Sequence, residues 1–163
     1  MQDKPLSRSS ASSLDIPEVA PGVGKPSGFR SLVGYHARIW KENLAEIELD
    51  IASEHGNSLG MVHGGVLMTL MDAAMGHACT YTPVKGHVRA CVTLSMTTSF
   101  LEAPRGGIIV ATGRLLSIDN KVATCTCEVH GADGTLIAIA QGSFRYIAGS
   151  EGPAGIPKAQ LRR

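Results

Sequence analysis

Residues 61–79 read MVHGGVLMTLMDAAMGHAC, a stretch without proline in which Asp72 is the one formally charged residue. Its leucines and methionines favour a helix. Apolar residues lie on every side of this predicted helix, a pattern typical of a helix that is either buried or membrane-spanning. Because Asp72, two histidines and three glycines interrupt the stretch, the sequence favours burial inside a globular protein.

Strands are predicted on both sides of this helix. Two precede it, over residues 35–41 and 44–51. Four follow it, joined by hairpin signals at 119–120 and 133–134, and they cover residues 90–101, 108–118, 121–130 and 135–147. We therefore expect an α+β fold, in which an antiparallel sheet of about five or six strands wraps around one long central helix. The sheet would keep an open edge or face, which favours a homo-oligomer.

The chain has 163 residues, of which 44% are hydrophobic and 18% charged, enough for one domain with an ordinary core. We expect that domain over residues 29–147. Serine and proline are concentrated in residues 1–28, which predicts a disordered leader. Glycine, proline and basic residues in 148–163 predict a flexible C-terminal tail.

Charge and cysteine usage narrow the class of protein. The net charge is +1, from 15 Lys and Arg against 14 Asp and Glu, so no global field favours nucleic acid or a membrane surface as a partner. Four cysteines lie within apolar or strand-like runs, and the N-terminus lacks a secretory apolar segment. Both features predict reduced thiols and a cytoplasmic location. The histidines are scattered, with His63 and His77 about 21 Å apart along a helix, so we predict no metal centre.

Asp72 is the sharpest candidate for chemistry. Its helical neighbours three and four residues away are Met68, Thr69, Met75 and Gly76. They offer an ionised carboxylate almost no hydrogen-bond or ion-pair partner. One interpretation is a structural acid, paired with a strand Arg or Lys or solvated at a helix bend. The other is a catalytic acid, and nearby Gly65 and Gly76 favour it because they leave room beside the carboxylate.

The tripeptide His63-Gly64-Gly65 stands where the helix is expected to begin. Free amides of a first helical turn, with the positive end of the helix dipole behind them, have the geometry of an oxyanion hole. A tight loop-to-helix turn is the alternative. His63 and Asp72 are nine residues apart, so a helix separates them by roughly 13 Å and points them in nearly opposite directions. If the two cooperate, two chains of a symmetric dimer must meet.

Asn57 lies six residues before His63, Asp72 lies seven after Gly65, and the final strand reads GTLIAIAQGSFRY over residues 134–146. In this combination the sequence resembles the hotdog-fold acyl-CoA thioesterases of the PaaI/THEM type, phenylacetic acid degradation thioesterases among them. The resemblance covers most of residues 29–147. It implies a sheet wrapped around the helix, two subunits joined edge to edge, and dimers that pair into tetramers.

Residue roles follow from the resemblance. It makes Asp72 the catalytic carboxylate and the Gly64 amide the oxyanion donor. Asn57 and His63 become polar groups near the thioester carbonyl. Thr93 takes the position of a hydroxyl residue near the attacking water, where some members have serine.

The substrate-binding candidates are less specific. Gly65 would let substrate approach the backbone, and Met68 would either fill the core or line an acyl tunnel. Arg105 and Lys121, with Arg114 and Arg145, could meet the phosphates of coenzyme A, although solvated strand ends and turns explain each equally well. No cofactor is expected, because coenzyme A would be part of the substrate.

The activity implied is hydrolysis of an acyl-CoA to the free acid and coenzyme A. Asp72 would act either as general base or as a nucleophile that forms a mixed anhydride, and the sequence leaves both open. Two alternatives also stay open: an acyl-thioester hydratase or dehydratase that uses His63, and a non-catalytic acyl-CoA-binding module.

Overall fold

The computed structural model describes residues 28–161, so the predicted leader lies outside the described residues except for Gly28. Helix α1 (Gly28–Val33), strands β1 (His36–Lys41) and β2 (Leu44–Ile51) and a 3-10 turn (Ser53–His55) come first. The long helix α2 (Gly64–Thr80) follows. The remaining elements are β3 (His87–Val88), β4 (Cys91–Phe100), β5 (Gly107–Asp119), β6 (Val122–Gly131), β7 (Leu136–Tyr146), β8 (Ile156–Pro157) and a 3-10 turn (Lys158–Gln160).

Six of the strands form one antiparallel sheet in the order β1-β2-β5-β6-β7-β4. The sheet curves around α2, which confirms the expected fold of one central helix wrapped by six strands. Strands β1 and β4 are its two edges. Within residues 28–161, no helix is long and apolar enough to span a bilayer.

The core lies between α2 and the concave face of the sheet. Alternate residues of β2, Ala45, Ile47 and Leu49, are buried there, as period-two patterning requires. The helix contributes seven buried side chains, from Leu67, Leu70, Met71, Ala74, Met75, Ala78 and Cys79. Burial of this apolar surface is the main source of stability for the sheet and helix together.

Helix α2 begins at Gly64, within the His63-Gly64-Gly65 turn where the sequence predicts its start. Residues 61–63 are part of the preceding loop. Val62 forms a bridge with Gly56 and donates its amide to the Pro104 carbonyl at 2.8 Å. The Val62 amide thus has an acceptor, which it would lack in the first turn of a helix that began at Met61. The helix starts after it, with His63 as the N-cap.

Residues 148–161 differ from the expected flexible tail, because the structure gives them defined contacts. Ser150 is buried, and its Oγ lies 2.8 Å from the Ile147 carbonyl oxygen. Arg89 donates to the Glu151 carbonyl at 3.0 Å while its guanidinium lies over the Tyr146 ring. Strand β8 pairs with β3 in a separate two-stranded sheet. Glycine and proline in this segment therefore shape turns that return the chain to the end of α2.

The four cysteines, Cys79, Cys91, Cys125 and Cys127, are free thiols, three of them buried and Cys91 half-buried. Burial raises the pKa of Cys127 to about 12, with the charge of Glu128 adding to it. These positions agree with their reading as core residues.

Close contact between α2 and the sheet depends on Gly113 in the middle of β5. A Cβ built at Gly113 would lie 2.4 Å from the Ala74 carbonyl carbon and oxygen. Both of those atoms are helix backbone, which a rotamer change cannot move. The absence of a side chain at this position therefore sets the distance between helix and strand.

We expect Gly113→Ala to lower the free energy of unfolding by about 3 kcal/mol, because the added methyl group overpacks the helix–sheet contact. Gly106→Ala is the matched control, since a Cβ there meets nothing within 4 Å. Urea unfolding followed by circular dichroism measures both variants. Equal midpoints for the two variants would show that the helix can shift without cost.

Candidate active site

The start of α2 presents an open backbone amide. His63 is the N-cap, and its Nδ1 accepts a hydrogen bond from the Gly65 amide at 2.9 Å. The next two amides, of Val66 and Leu67, donate to the His63 carbonyl. Among residues 28–161, the Gly64 amide has no acceptor. It is therefore the donor left free at the positive end of the helix.

This cap also fixes the hydrogen-bonding state of the His63 imidazole. Because Nδ1 accepts from Gly65, the proton of the neutral ring is on Nε2. The His63 side chain is exposed, so this N–H points away from the core.

Phe100, the last residue of β4, covers the helix start. Three atoms of its ring lie 3.3–3.7 Å from the place where a Gly64 Cβ would stand. Phe100 is 49% exposed, so about half of its surface is left uncovered by residues 28–161. Sequence reasoning missed Phe100, because an aromatic residue at a strand end carries no signal of which helix it will meet.

Asp72 is held by β4. The Thr93 hydroxyl donates to Asp72 Oδ1 at 2.7 Å. No Lys, Arg or His among the described residues forms an ion pair with Asp72, so the structural pairing considered above is not observed there. The second carboxylate oxygen, Oδ2, accepts no hydrogen bond within residues 28–161.

A β-bulge brings Thr93 and Phe100 to the same face of β4. The two residues are seven apart, so strict alternation would place them on opposite faces. The pairing of β4 with β7 shifts register between Thr93 and Ser95. This irregularity lets Thr93 contact Asp72 and Phe100 contact Gly64, both on the helix side.

Within one chain, the Gly64 amide and the Asp72 carboxylate do not converge. They are eight residues apart on α2, which is about 12 Å along the axis. A single thioester carbonyl cannot reach both groups of the same chain. The structure therefore offers two half-sites along the helix, one at each end of the inner face of β4.

Asn57 organises the loop in front of the helix. Its side-chain Oδ1 accepts from the backbone amides of Leu59 at 2.9 Å and Met61 at 3.2 Å. The backbone amide of Asn57 donates to the Met61 carbonyl at 2.7 Å. The side-chain oxygen is thus used by the loop. Its NH₂ group donates no hydrogen bond within the described part of the chain, and it is the part of Asn57 that a substrate could meet.

The substrate-binding candidates fall in two places. Arg105 donates from Nη1 to the Leu59 carbonyl at 2.7 Å, so it lies on the loop that carries Asn57. Met68 is 39% exposed one turn into the helix, and Gly65 lies at the helix start. Lys121 is not part of this group. It lies in the β5–β6 hairpin turn, where its Nζ is 3.5 Å from Glu151 Oε1. Val92 is nearby, at the end of β4 opposite to Phe100.

Two further residues lie within the electrostatic reach of Asp72. His77 donates from Nδ1 to the Ala73 carbonyl at 2.7 Å, and burial lowers the pKa of its imidazole. Burial also raises the pKa of Tyr35, an effect opposed by Arg30 and increased by the Asp72 carboxylate. Sequence reasoning treated His77 only as a scattered histidine. Across the described residues, no cluster of three or more His, Cys, Asp or Glu could hold a metal ion.

Comparison with known proteins agrees with this architecture. Residues 59–138 match the family model described as the thioesterase superfamily. The conserved protein PA5202 from Pseudomonas aeruginosa is 30% identical, with a TM-score of 0.69 over 74% of this chain and 94% of that one. The PaaI protein of the Escherichia coli phenylacetic acid degradation operon, 21% identical, has the same fold, with a TM-score of 0.68 over 76% of this chain and 86% of that one.

A medium/long-chain acyl-CoA thioesterase of Salmonella typhimurium, YigI, is 28% identical over 95 residues. That match covers 52% of this chain and 61% of YigI. The chain also spans less than two thirds of the length of two further curated relatives.

An antiparallel sheet wrapped around one helix, with an open amide at the helix start and a carboxylate on its flank, defines a hotdog-fold protein. The chain belongs to the thioesterase superfamily.

Proposed function

We propose that this protein hydrolyses an acyl-CoA thioester to the free acid and coenzyme A, at a site shared by two subunits. The observation that carries the proposal is the pair of prepared groups on α2. One is the free Gly64 amide, and the other is the Asp72 carboxylate held by Thr93. Membership of the thioesterase superfamily and similarity to an acyl-CoA thioesterase support the same activity.

The two-subunit site is supported by the unequal edges of the sheet. Edge strand β4 is ten residues long and exposes large apolar side chains, including Val92 at 49% and Leu94 at 50%. Edge strand β1 has six residues and carries the charged side chains of Arg38 and Lys41, which discourage pairing. Strand β4 is therefore the edge that a second copy would extend.

Antiparallel pairing of two β4 strands would also complete the chemistry. If the two-fold axis passes between the two copies of Thr97, the β-bulge at Thr93 and Ser95 makes Thr93 of one chain stand opposite the partner's Phe100. Thr93 holds Asp72, and Phe100 covers Gly64. Each carboxylate would then face the helix start of the other chain, and the dimer would contain two equivalent sites. A further pairing of dimers into a tetramer belongs to the same proposal.

Charge development in the reaction explains what each group does. As the carbonyl carbon becomes tetrahedral, negative charge forms on its oxygen, and the Gly64 N–H at the helix dipole stabilises it. The Asn57 NH₂ and the His63 Nε2–H would be the nearby polar donors. Arg105, which contacts the same loop through the Leu59 carbonyl, would hold a phosphate of coenzyme A, and Gly65 and Met68 would border the acyl group.

Asp72 would supply the nucleophile. As a general base, its free Oδ2 takes a proton from water while the hydroxide adds to the carbonyl, and Thr93 fixes the other oxygen. When the C–S bond breaks, the proton passes to the leaving thiolate. Direct attack by Asp72, giving a mixed anhydride that water then opens, needs the same placement. Neither route needs a cofactor.

The four free thiols support a cytoplasmic location for this enzyme.

One observation disfavours the hydratase alternative. That chemistry needs a histidine as proton acceptor, and His63 has Nδ1 committed to the Gly65 amide and its proton on Nε2. A non-catalytic binding module differs from the enzyme only in showing no thiol release.

We expect Asp72→Asn to reduce kcat at least 100-fold, because the amide can neither accept the proton of water nor attack the thioester. Thiol release from a panel of short, medium, long and aromatic acyl-CoAs, followed with a chromogenic thiol reagent, measures this. Asp50→Asn, an exposed acid on β2, is the control. Full activity of Asp72→Asn would end the proposed role, and tight binding of acyl-CoA by the wild type without release would favour the binding module.

The Gly64 amide can be deleted almost alone. Gly64 is the first residue of α2, where proline is well accommodated, and the extended backbone of His63 suits a residue before proline. We expect Gly64→Pro to lower kcat about 100-fold or more through loss of the oxyanion donor. Gly64→Ala keeps the N–H while adding a similar Cβ contact with Phe100, so it should retain most activity. Equal losses in the two variants would assign the effect to packing.

Mixing the two inactive variants tests whether a site is shared. In a dimer of one Asp72→Asn chain and one Gly64→Pro chain, one site receives both intact groups and the other receives neither. Random exchange makes half of the dimers mixed, so we expect about one quarter of wild-type activity to return. Activity is read before and after subunit exchange, with oligomer mass measured in parallel. Exchange without recovery would place both groups in one chain's site.

A further inference from the structure

Phe100 lies at the Gly64 half-site, at the end of edge strand β4. Its ring lies against Gly64, with Cζ nearest to the glycine at 3.3 Å from a Cβ built there. Phe100 is half-exposed at the end of the β4 edge, so part of its surface is open. In the proposed dimer this open part turns toward the partner's Thr93 and Asp72. The ring is therefore a wall beside the place where the thioester carbonyl must lie.

The position of the carbonyl limits which substrate atoms the ring can contact. A carbonyl oxygen accepting from the Gly64 amide is about 2.9 Å from that nitrogen. The carbonyl carbon and its two substituents then lie next to the glycine, where the ring already makes van der Waals contact. One substituent is sulfur, which is the same in every coenzyme A thioester. The other is carbon 2 of the acyl group, which varies among substrates.

We propose that Phe100 is a specificity-determining residue that restricts the enzyme to acyl groups unbranched at carbon 2. The proposal rests on the thioesterase function proposed above. A methyl group on carbon 2 would have to displace the ring from Gly64. In the proposed dimer the ring can move little away from Gly64, because the partner's Thr93 stands opposite Phe100 on the adjoining β4 strand. Branches farther along the chain lie beyond the ring and are tolerated.

Pairs of acyl-CoAs with equal carbon number test the proposal. Butanoyl-CoA and 2-methylpropanoyl-CoA differ only in branching at carbon 2, and pentanoyl-CoA and 3-methylbutanoyl-CoA differ only at carbon 3. If longer chains are hydrolysed faster, octanoyl-CoA with 2-methylheptanoyl-CoA and 3-methylheptanoyl-CoA serves in the same way. For the wild type, we expect kcat/KM to favour the straight chain at least 10-fold in the carbon-2 comparison and less than 3-fold in the carbon-3 comparison.

Variants then assign the discrimination to the ring. Phe100→Ala should bring the carbon-2 ratio close to one, mainly by raising kcat/KM on the branched substrate, and Phe100→Leu should give an intermediate ratio. Leu101→Ala is the control, because Leu101 is half-exposed beside Phe100 and does not contact Gly64. It should keep the wild-type ratio. Oligomer mass is measured for each variant, since β4 is the proposed edge of the dimer.

Several outcomes would overturn the inference. A wild-type carbon-2 ratio near one does so without any variant. An unchanged ratio in Phe100→Ala, or equal losses on both substrates, would assign Phe100 a structural role. These results leave straight-chain hydrolysis intact and sink only the inference. Absence of thiol release from every acyl-CoA of the panel, straight-chain and aromatic, would instead sink the proposed function and the inference with it.

Discussion

The seating of α2 on the middle of β5 is the contact on which the rest of the molecule depends. At Gly113 the strand meets the helix backbone at a distance that excludes even a methyl group. Because the helix lies this close to the sheet, its flank reaches the edge strand, and Asp72 can bond Thr93 while Gly64 meets Phe100. A helix farther from the sheet would leave the carboxylate without its hydroxyl partner.

Two of the candidate site residues, His63 and Asn57, are held by hydrogen bonds to their neighbours in the sequence. His63 uses one ring nitrogen to cap α2, and Asn57 uses its side-chain oxygen to close the loop before it. Each keeps its N–H groups for something outside the fold. In each residue, one atom of the side chain stabilises the local backbone and another can donate to a substrate. The donors are therefore already in place before a substrate binds, and binding costs little side-chain entropy.

Much of the fold could be predicted from the sequence, because period-two strands and a nearly uncharged helical segment are local signals. The start of the helix at the His63-Gly64-Gly65 turn was predicted, whereas the hydrogen bond of the Val62 amide to the remote Pro104 carbonyl was not. Asp72 and the Gly64 turn stood out by residue type, whereas Thr93 came from family resemblance alone. Phe100 was missed, because only the bulge at Thr93 and Ser95 places it on the same face as Thr93. The contacts of residues 148–161 were missed for a similar reason: they depend on Arg89, far away in the sequence.

The contrast between the two edges of the sheet has a consequence for the protein at high concentration. Strand β1 is short and charged, while β4 is long and apolar. A chain with two apolar, unpaired edge strands can add copies at both edges and form an open-ended fibril. In the proposed dimer, pairing through β4 would leave only the charged β1 strands at both outer edges, so edge-to-edge association would end at two chains and would offer no strand for fibril growth.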